Sequence, residues 1–336
     1  MKNEMYYYGI LTKQEKAAYR MIYNGISKRA LNIVVPVLLS PQEVQDVYLK
    51  VLYDNPIFYY INQTVIRMTG TKGYYVLLPE YLYTSSEIDR INQDIARVLK
   101  KIDAKARTML SNEFRLEKYL HDSVVKSVAY DYESLKKTDC YNAQSIVGAF
   151  LDKKAVCEGI AKAFKLLCNE YSMKCIVVLG KADPSGRFDG NSYHAWNLVK
   201  VGNGSYHVDV TWDNMYDQGL EHISYDYFNV TTEDIAKDHQ PMGKLPICKD
   251  VGLNYFHSTK SFINTYQELF DLIKQRFNAK SIMFKVEADS LEFPTMDSVK
   301  LKTYMALNDV MLIKKSEKRA FVLFNDAQRI GKIIFS

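Results

Sequence analysis

A short turn between two strand-like runs places the strongest constraint on how this chain folds. The runs cover residues 194–199 and 206–212, and Gly202, Asn203 and Gly204 lie between them. Such a sequence favours a two-residue turn, which pairs the two strands antiparallel and fixes their register. Whichever two of these residues form the turn, paired positions have numbers that add to an odd sum. His194 and Asp209 therefore share one face of the hairpin as diagonal neighbours.

A cysteine at the start of a helix is the second constraint. Apolar side chains recur at intervals of three and four residues after Cys157: Ile160, Ala163, Phe164, Leu167, Cys168 and Tyr171. This spacing predicts a helix that buries one side, with Cys157 in its first turn. The free N–H groups and the dipole of a helix start stabilise a thiolate. Gly159, two residues on, allows backbone or substrate to approach closely.

These residues together predict a catalytic triad of Cys157, His194 and Asp209. A histidine beside a thiolate can hold its proton and later deliver it to a leaving amine. A carboxylate keeps the ring oriented and favours its charged form. The alternative is structural: a small buried cysteine, a satisfied histidine at a strand edge and an aspartate at a turn.

Composition excludes several classes of function. The net charge is +5 and its lysine pairs are scattered, which is unlike the basic stripe of a nucleic-acid-binding surface. The longest apolar run, residues 33–39, is interrupted by Pro36, so no membrane span is predicted. His121, His222, His239 and His257 lack the paired spacing of zinc ligands, and we predict neither a metal nor another cofactor.

Cysteine usage indicates the compartment. The five cysteines form no CxxC pair and the first residues do not have the pattern of a signal peptide, so a cytoplasmic location is expected. Secretion remains an alternative for a chain that has lost a leader. The expected partner is a peptide or protein substrate, with no nucleic acid and no membrane, and the sequence does not indicate an oligomeric state.

Local signals divide the chain into three α/β units, predicted at 1–105, 106–250 and 251–336. In the first unit, three capping boxes predict helix starts: Thr12 with Glu15, Ser40 with Glu43, and Thr84 with Glu87. In the last unit, the pattern predicts a helix at 296–307 and strands at 310–314 and 319–324, with 330–335 as a candidate third strand. The fold class is therefore α+β, with the cysteine helix packed on an antiparallel sheet and smaller α/β units at both ends.

Three short motifs resemble the core of the transglutaminase-like superfamily, especially its bacterial members. They are Val156-Cys157-Glu158-Gly159 with Ala161, His194-Ala195-Trp196-Asn197, and the run from Tyr206 to Asp213. The resemblance covers about residues 106–240 and implies a papain-like core. It also implies that Cys157 forms a thioester with an amide carbonyl and releases an amine, after which water or a second amine accepts the acyl group.

The resemblance leaves some of the site open. An oxyanion hole needs a donor besides the Cys157 N–H group, and Gln144 and Tyr141 are the candidates. Trp196 is a candidate wall of the cleft, whereas hairpin parity favours a core position for Trp212. No acidic cluster has the spacing of a calcium loop, so calcium dependence is not implied.

The reaction outcome is a further expectation. Hydrolysis, as in a protease or amidase, is preferred over amine cross-linking, because no site for a second amine is marked and the bacterial resemblance includes many proteases. The alternative from another class is a catalytically inactive binding or scaffold protein that keeps this fold.

Overall fold

The computed structural model describes residues 5–63, 67–137, 139–188, 192–214 and 222–336. Its α-helices are α1 (Tyr6–Ile10), α2 (Lys13–Ser27), α3 (Pro41–Asp54), α4 (Ser85–Ala106), α5 (Glu113–Ser127), α6 (Cys157–Glu170), α7 (Thr232–Ile235), α8 (Tyr255–Ser258), α9 (Tyr266–Arg276) and α10 (Met296–Lys314). Its strands are β1 (Ile33–Val35), β2 (Arg67–Thr71), β3 (Tyr74–Leu78), β4 (Ala129–Tyr130), β5 (Lys154–Ala155), β6 (Cys175–Ala182), β7 (Tyr193–Val201), β8 (Gly204–Val208), β9 (Phe228–Val230), β10 (His239–Pro241), β11 (Phe262–Ile263), β12 (Ser281–Val286), β13 (Ala320–Asn325) and β14 (Ile330–Phe335). The fold is thus a mixture of helix and sheet, as predicted.

A central antiparallel sheet has the strand order β10-β6-β7-β8-β9. Helix α6 packs on β6 and β7, and α5 packs on α6. The buried amide of Asn197 joins helix and sheet, since its Nδ2 donates to the carbonyls of Ala161 at 3.0 Å and Ile176 at 3.1 Å. These bonds fix where α6 begins relative to β7.

The hairpin of β7 and β8 has the predicted type of register. Asn197 pairs with Val208 and Val201 pairs with Gly204, so paired numbers add to an odd sum and the turn is Gly202-Asn203. Gly202 has φ 57°, a left-handed conformation that glycine adopts without strain. Strand β8 ends at Val208, one residue before Asp209.

Smaller sheets lie before and after the central one. The first has the order β1-β3-β2 and the last has the order β11-β12-β14-β13. The largest apolar cluster includes side chains of α2, α3 and α6, whereas α9, α10 and β12 contribute to a cluster of their own. The predicted unit boundaries at 105/106 and 250/251 remain predictions.

Helix starts agree with the sequence, but one helix end does not. All three predicted capping boxes are present at the starts of α2, α3 and α4. The predicted strand at 310–314 is wrong, because α10 continues to Lys314 and ends where Lys315 adopts a left-handed conformation. Among the described residues, no helix is both long and apolar enough to cross a membrane.

Candidate active site

Cys157 is the first residue of α6, and a neighbouring loop is packed tightly against this helix start. The loop is held by a hydrogen bond of 2.9 Å from Val156 N to Ala143 O. A Cβ atom on Gly159 would lie only 2.3 Å from the same carbonyl, so glycine is required for this approach. Val156, the N-cap residue, makes no side-chain capping hydrogen bond to α6. Cys157 itself is half-buried.

His194 and Asp209 form a direct pair on one face of the sheet. His194 Nε2 donates to Asp209 Oδ2 over 2.7 Å, and the Asp209 side chain is fully buried. The other carboxylate oxygen accepts from the backbone N–H groups of Thr211 at 2.9 Å and Trp212 at 3.2 Å. Asp209 therefore caps the turn that follows β8, and this turn fixes the orientation of its carboxylate.

The electrostatics of the pair favour the charged forms. Burial favours a neutral ring, but the charges and hydrogen bonds of Asp209 and Cys157 outweigh it and raise the pKa of His194 to about 10. Burial also opposes ionisation of Asp209, yet His194 and His239 hold the pKa of that carboxyl well below its usual range. The arrangement is that of an imidazolium next to a carboxylate, with the Cys157 thiol interacting with the same ring.

Two tyrosines flank Cys157. Strand β4 runs parallel to β5, which pairs Tyr130 with Ala155, two residues before the cysteine. The Tyr130 hydroxyl interacts with both the thiol and the backbone N–H of Cys157, and burial followed by the thiol's charge raises the pKa of Tyr130. Tyr53 packs against the same small apolar cluster as Cys157. Both hydroxyls are therefore protonated donors near neutral pH.

A second histidine contacts the same carboxylate oxygen of Asp209 as His194 does. His239 Nε2 lies 3.0 Å from Asp209 Oδ2, and its Nδ1 lies 2.6 Å from Asp238 Oδ1. The residue is brought there by β10, which pairs with the end of β6. Gly180 permits this pairing, because a Cβ at that position would lie 2.4 Å from Gln240 O.

His194, Asp209 and His239 also lie close enough to share a metal ion. One donor atom from each falls within 4.8 Å of the others, and no second such group occurs in the described part of the chain. Two imidazoles and a carboxylate are donors that zinc accepts. Both Nε2 atoms nevertheless sit at hydrogen-bond distance from one oxygen, and backbone N–H groups hold the other. We therefore interpret the group as a hydrogen-bonded ion-pair network.

The predicted oxyanion candidates make hydrogen bonds with residues of the N-terminal unit. Gln144 Oε1 accepts from Gln63 Nε2 at 3.4 Å, and the Tyr141 hydroxyl accepts from Asn62 Nδ2 at 3.4 Å. Both residues line a small cavity between this loop and the N-terminal unit. Tyr130, which the sequence did not indicate, is the side chain that contacts the N–H group of Cys157.

Trp196 does not take the place predicted for it, and Trp212 agrees with its prediction only in part. Trp196 is fully buried and donates its indole N–H to His207 Nδ1 at 3.1 Å, so it is a core residue and not a wall of the cleft. Trp212 is only partly buried and its ring lies 5.7 Å from that of His194. Trp212 packs against the apolar cluster that contains Trp196. Strand parity does not decide its face, because β8 ends at Val208 and the Asp209 turn interrupts the alternation.

A further buried histidine supports the turn that carries Asp209. His121 Nε2 lies 3.2 Å from Asp213 Oδ2, and Asp213 N donates to Asp209 O at 3.1 Å. Burial opposes the charge of His121, but bonds to Asp122 and Asp213 raise its pKa to about 9. His207, on the same face as His194, behaves differently, because burial lowers its pKa to about 4.

One comparison with known proteins matches the segment that holds these residues. The family model of the transglutaminase-like superfamily matches residues 97–210, a segment that contains Cys157, His194 and Asp209. The search of curated proteins gave no match.

Three solved structures are similar to parts of the chain. The first is a TGase, at 15% identity and a TM-score of 0.33, covering 57% of this chain and 52% of the other. The second is described as a "putative cysteine protease" from Cytophaga hutchinsonii, at 16% identity and a TM-score of 0.27, covering 44% and 61%. The third is menin, solved to show its binding site for the Mixed Lineage Leukemia protein, at 14% identity and a TM-score of 0.26, covering 70% and 48%. The chain thus spans about half to three fifths of these proteins. The match to the family model thus covers residues 97–210, about a third of the chain.

Proposed function

We propose that this protein is a cysteine-dependent enzyme that transfers the acyl group of amide bonds in peptides or proteins through a thioester. The observation that carries the proposal is the buried pair of His194 and Asp209, 2.7 Å apart, with its imidazole in contact with a thiol at a helix start. A histidine held as a cation beside a thiol is the feature that separates a reactive cysteine from a buried structural one. The packing of α6 on the central sheet supports a papain-like core.

The proposed reaction begins at Cys157. The thiolate attacks the carbonyl carbon of the substrate amide, and the carbonyl π electrons move to oxygen to give a tetrahedral oxyanion. His194 then gives its proton to the amine nitrogen as the C–N bond breaks, which leaves a thioester on Cys157. In the second half, His194 takes a proton from water or an acceptor amine, which attacks the thioester and releases the thiolate. Asp209 holds the ring in place throughout.

Tyr130 is proposed as the second oxyanion donor in place of Gln144 and Tyr141. Its hydroxyl reaches the same backbone N–H group that an oxyanion would use, and its raised pKa keeps it protonated. Two donors aimed at one oxygen are the requirement for an oxyanion hole. Tyr130 must shift from the N–H group as the oxyanion forms, and it then donates to the oxyanion.

Hydrolysis is the proposed outcome. The test is incubation with a glutamine-containing peptide and a labelled primary amine, with free acid and amine adduct measured by mass spectrometry. We expect release of free acid to exceed stable incorporation of amine, and Cys157→Ala to abolish both. Amine adduct accumulating faster than free acid would assign the protein to cross-linking, and activity that persists in Cys157→Ala would refute the proposal.

A catalytically inactive scaffold is the second candidate, and the burial of His194, only 8% exposed, favours it. The Cys157 thiol is also flanked by Tyr53 and Tyr130. A small thiol reagent distinguishes the two functions. Cys157 should react faster than Cys140, which is also half-buried and whose thiol pKa is raised by burial. Equal and slow reaction of both thiols would support the scaffold.

A further inference from the structure

A chain of buried hydrogen bonds continues from Asp209 away from Cys157 and into the C-terminal unit. After His239 the next member is Asp238, whose Oδ1 contacts the ring at 2.6 Å. Its Oδ2 accepts from the Tyr227 hydroxyl at 2.8 Å and from Gln328 Nε2 at 2.9 Å. His239, Asp238 and Gln328 have essentially no solvent exposure. The path therefore runs from the proposed nucleophile to a residue far along the chain.

Gln328 comes from the turn between β13 and β14. Its amide also donates to Asp234 O at 3.0 Å, so the side chain is held at two points. Asn325, at the end of β13, donates to Asp226 Oδ2 at 2.9 Å and to the Tyr227 hydroxyl at 3.1 Å. Lys332 on β14 pairs with Asp226 at 2.7 Å. This hairpin is therefore attached to the central unit by buried polar contacts beside His239.

The arrangement around His239 defines what its ring must do. Each ring nitrogen of His239 faces a carboxylate oxygen. Both contacts are hydrogen bonds only when both ring nitrogens carry a proton, or when one carboxyl group is protonated and donates to an unprotonated ring nitrogen. Asp209 Oδ2 has two histidine donors, at 2.7 and 3.0 Å. Removing His239 leaves this buried oxygen with one donor instead of two, which costs free energy and loosens the orientation of the carboxylate.

We propose that His239 is a positioning residue for Asp209, and that the C-terminal unit holds it in place through Gln328 and Asp238. The inference rests on the proposed function and extends it, because it assigns the β13–β14 hairpin a part in the site. Both His239 and Gln328 lie outside the segment that matches the family model. The thiol–imidazole pair of the central unit then depends on residues that the family match does not cover.

The test measures Cys157 alone, without a substrate. The rate of alkylation of Cys157 by iodoacetamide is followed from pH 5 to 10 by peptide mapping, in parallel with thermal unfolding. The variants are His239→Ala, His239→Gln and Gln328→Ala. Asp326→Asn is the matched control, because Asp326 lies in the same turn but is exposed and pairs with Lys300.

We expect His239→Ala to lower the alkylation rate at pH 6 by about three- to tenfold and to move the rise in rate to higher pH. His239→Gln should stay within about twofold of the wild type, since its amide can still donate to Asp209. Gln328→Ala should fall between them, and Asp326→Asn should match the wild type. If His239→Ala does not fold, Asp238→Asn carries the same expectation.

Some outcomes would overturn the inference. A wild-type pH profile in His239→Ala, even with a lower melting temperature, would show a merely structural role for this ring. If Gln328→Ala gave the same alkylation profile as Asp326→Asn, the C-terminal unit would have no part in positioning His239. Failure of the proposed function gives a different result: no turnover of peptide by the wild type, while the alkylation profiles still respond to His239.

Discussion

Replacing Asp209 with asparagine removes the charge on which the proposed ion pair depends, while the size of the side chain is kept. The pKa of His194 is raised from its ordinary value of 6.5 to about 10. This rise of three to four units corresponds to about 5 kcal/mol in favour of the imidazolium, at about 1.4 kcal/mol per unit. Asp209 and Cys157 together supply this free energy against the opposing effect of burial.

In Asp209→Asn we expect the pKa of His194 to fall to its ordinary value or below, because burial remains. The His194 ring of the variant would then be mostly neutral at pH 7, whereas the wild-type ring is almost entirely charged at this pH. An ordinary thiol with a pKa of about 8.5 is only about 1% ionised at pH 6.5. Because the proposed mechanism keeps Cys157 as a thiolate beside the imidazolium, its alkylation at that pH should fall by up to about 100-fold, and kcat by about 100- to 10,000-fold.

The assay is competitive alkylation at pH 6.5 with mass-spectrometric mapping of each cysteine. Cys140 serves as an internal control, because it is also half-buried and burial raises the pKa of its thiol. Its rate should not differ between wild type and variant. A folded Asp209→Asn protein whose Cys157 reacts as fast as the wild type would refute the reasoning.

Three further predictions follow from other contacts. Tyr130→Phe removes the proposed oxyanion donor, so kcat should fall about 100-fold with little change in KM; an unchanged kcat would exclude the donor role. His121→Leu leaves Asp213 buried without its histidine partner, so the free energy of unfolding in urea should fall by about 3–5 kcal/mol; a loss under 1 kcal/mol would contradict this. The pair of His194 and Asp209 should stabilise the wild type most between about pH 4 and 6.5. The contribution of Asp209, whose pKa is lowered, is present above its ordinary value of 3.8 and is lost as the pH falls below it. The contribution of His194 is present below its ordinary value and is lost as the pH rises towards 10, its raised pKa. Urea unfolding across pH 3–11 checks this prediction. It would be contradicted by a variant without Asp209 whose free energy of unfolding falls at low pH and at high pH as steeply as that of the wild type.

Local sequence signals predicted much of the fold. Capping boxes depend on residues three positions apart, so Thr12 with Glu15 was enough to locate the start of α2. The register of β7 and β8 followed from the length of one turn, and it brought His194 and Asp209 to the same face. Both signals act over short distances, where local geometry decides the outcome.

Long-range features were not predictable in this way. Tyr130 reaches Cys157 through the parallel pairing of β4 with β5, and His239 reaches Asp209 because β10 joins the edge of β6. Neither pairing leaves a periodic pattern in the sequence, since both involve strands of two or three residues. The strand predicted at 310–314 failed because apolar residues there continue α10 without a stop signal.

The most direct test of the central claim is detection of an acyl group on Cys157. The protein is mixed with an activated ester of a short peptide, quenched in acid within seconds and measured by intact mass and peptide mapping. We predict a single adduct with the mass of the acyl group, located on Cys157, that decays in water and is absent from His194→Ala within the same time. A wild-type protein with no adduct, or with an adduct on another cysteine, would contradict the account.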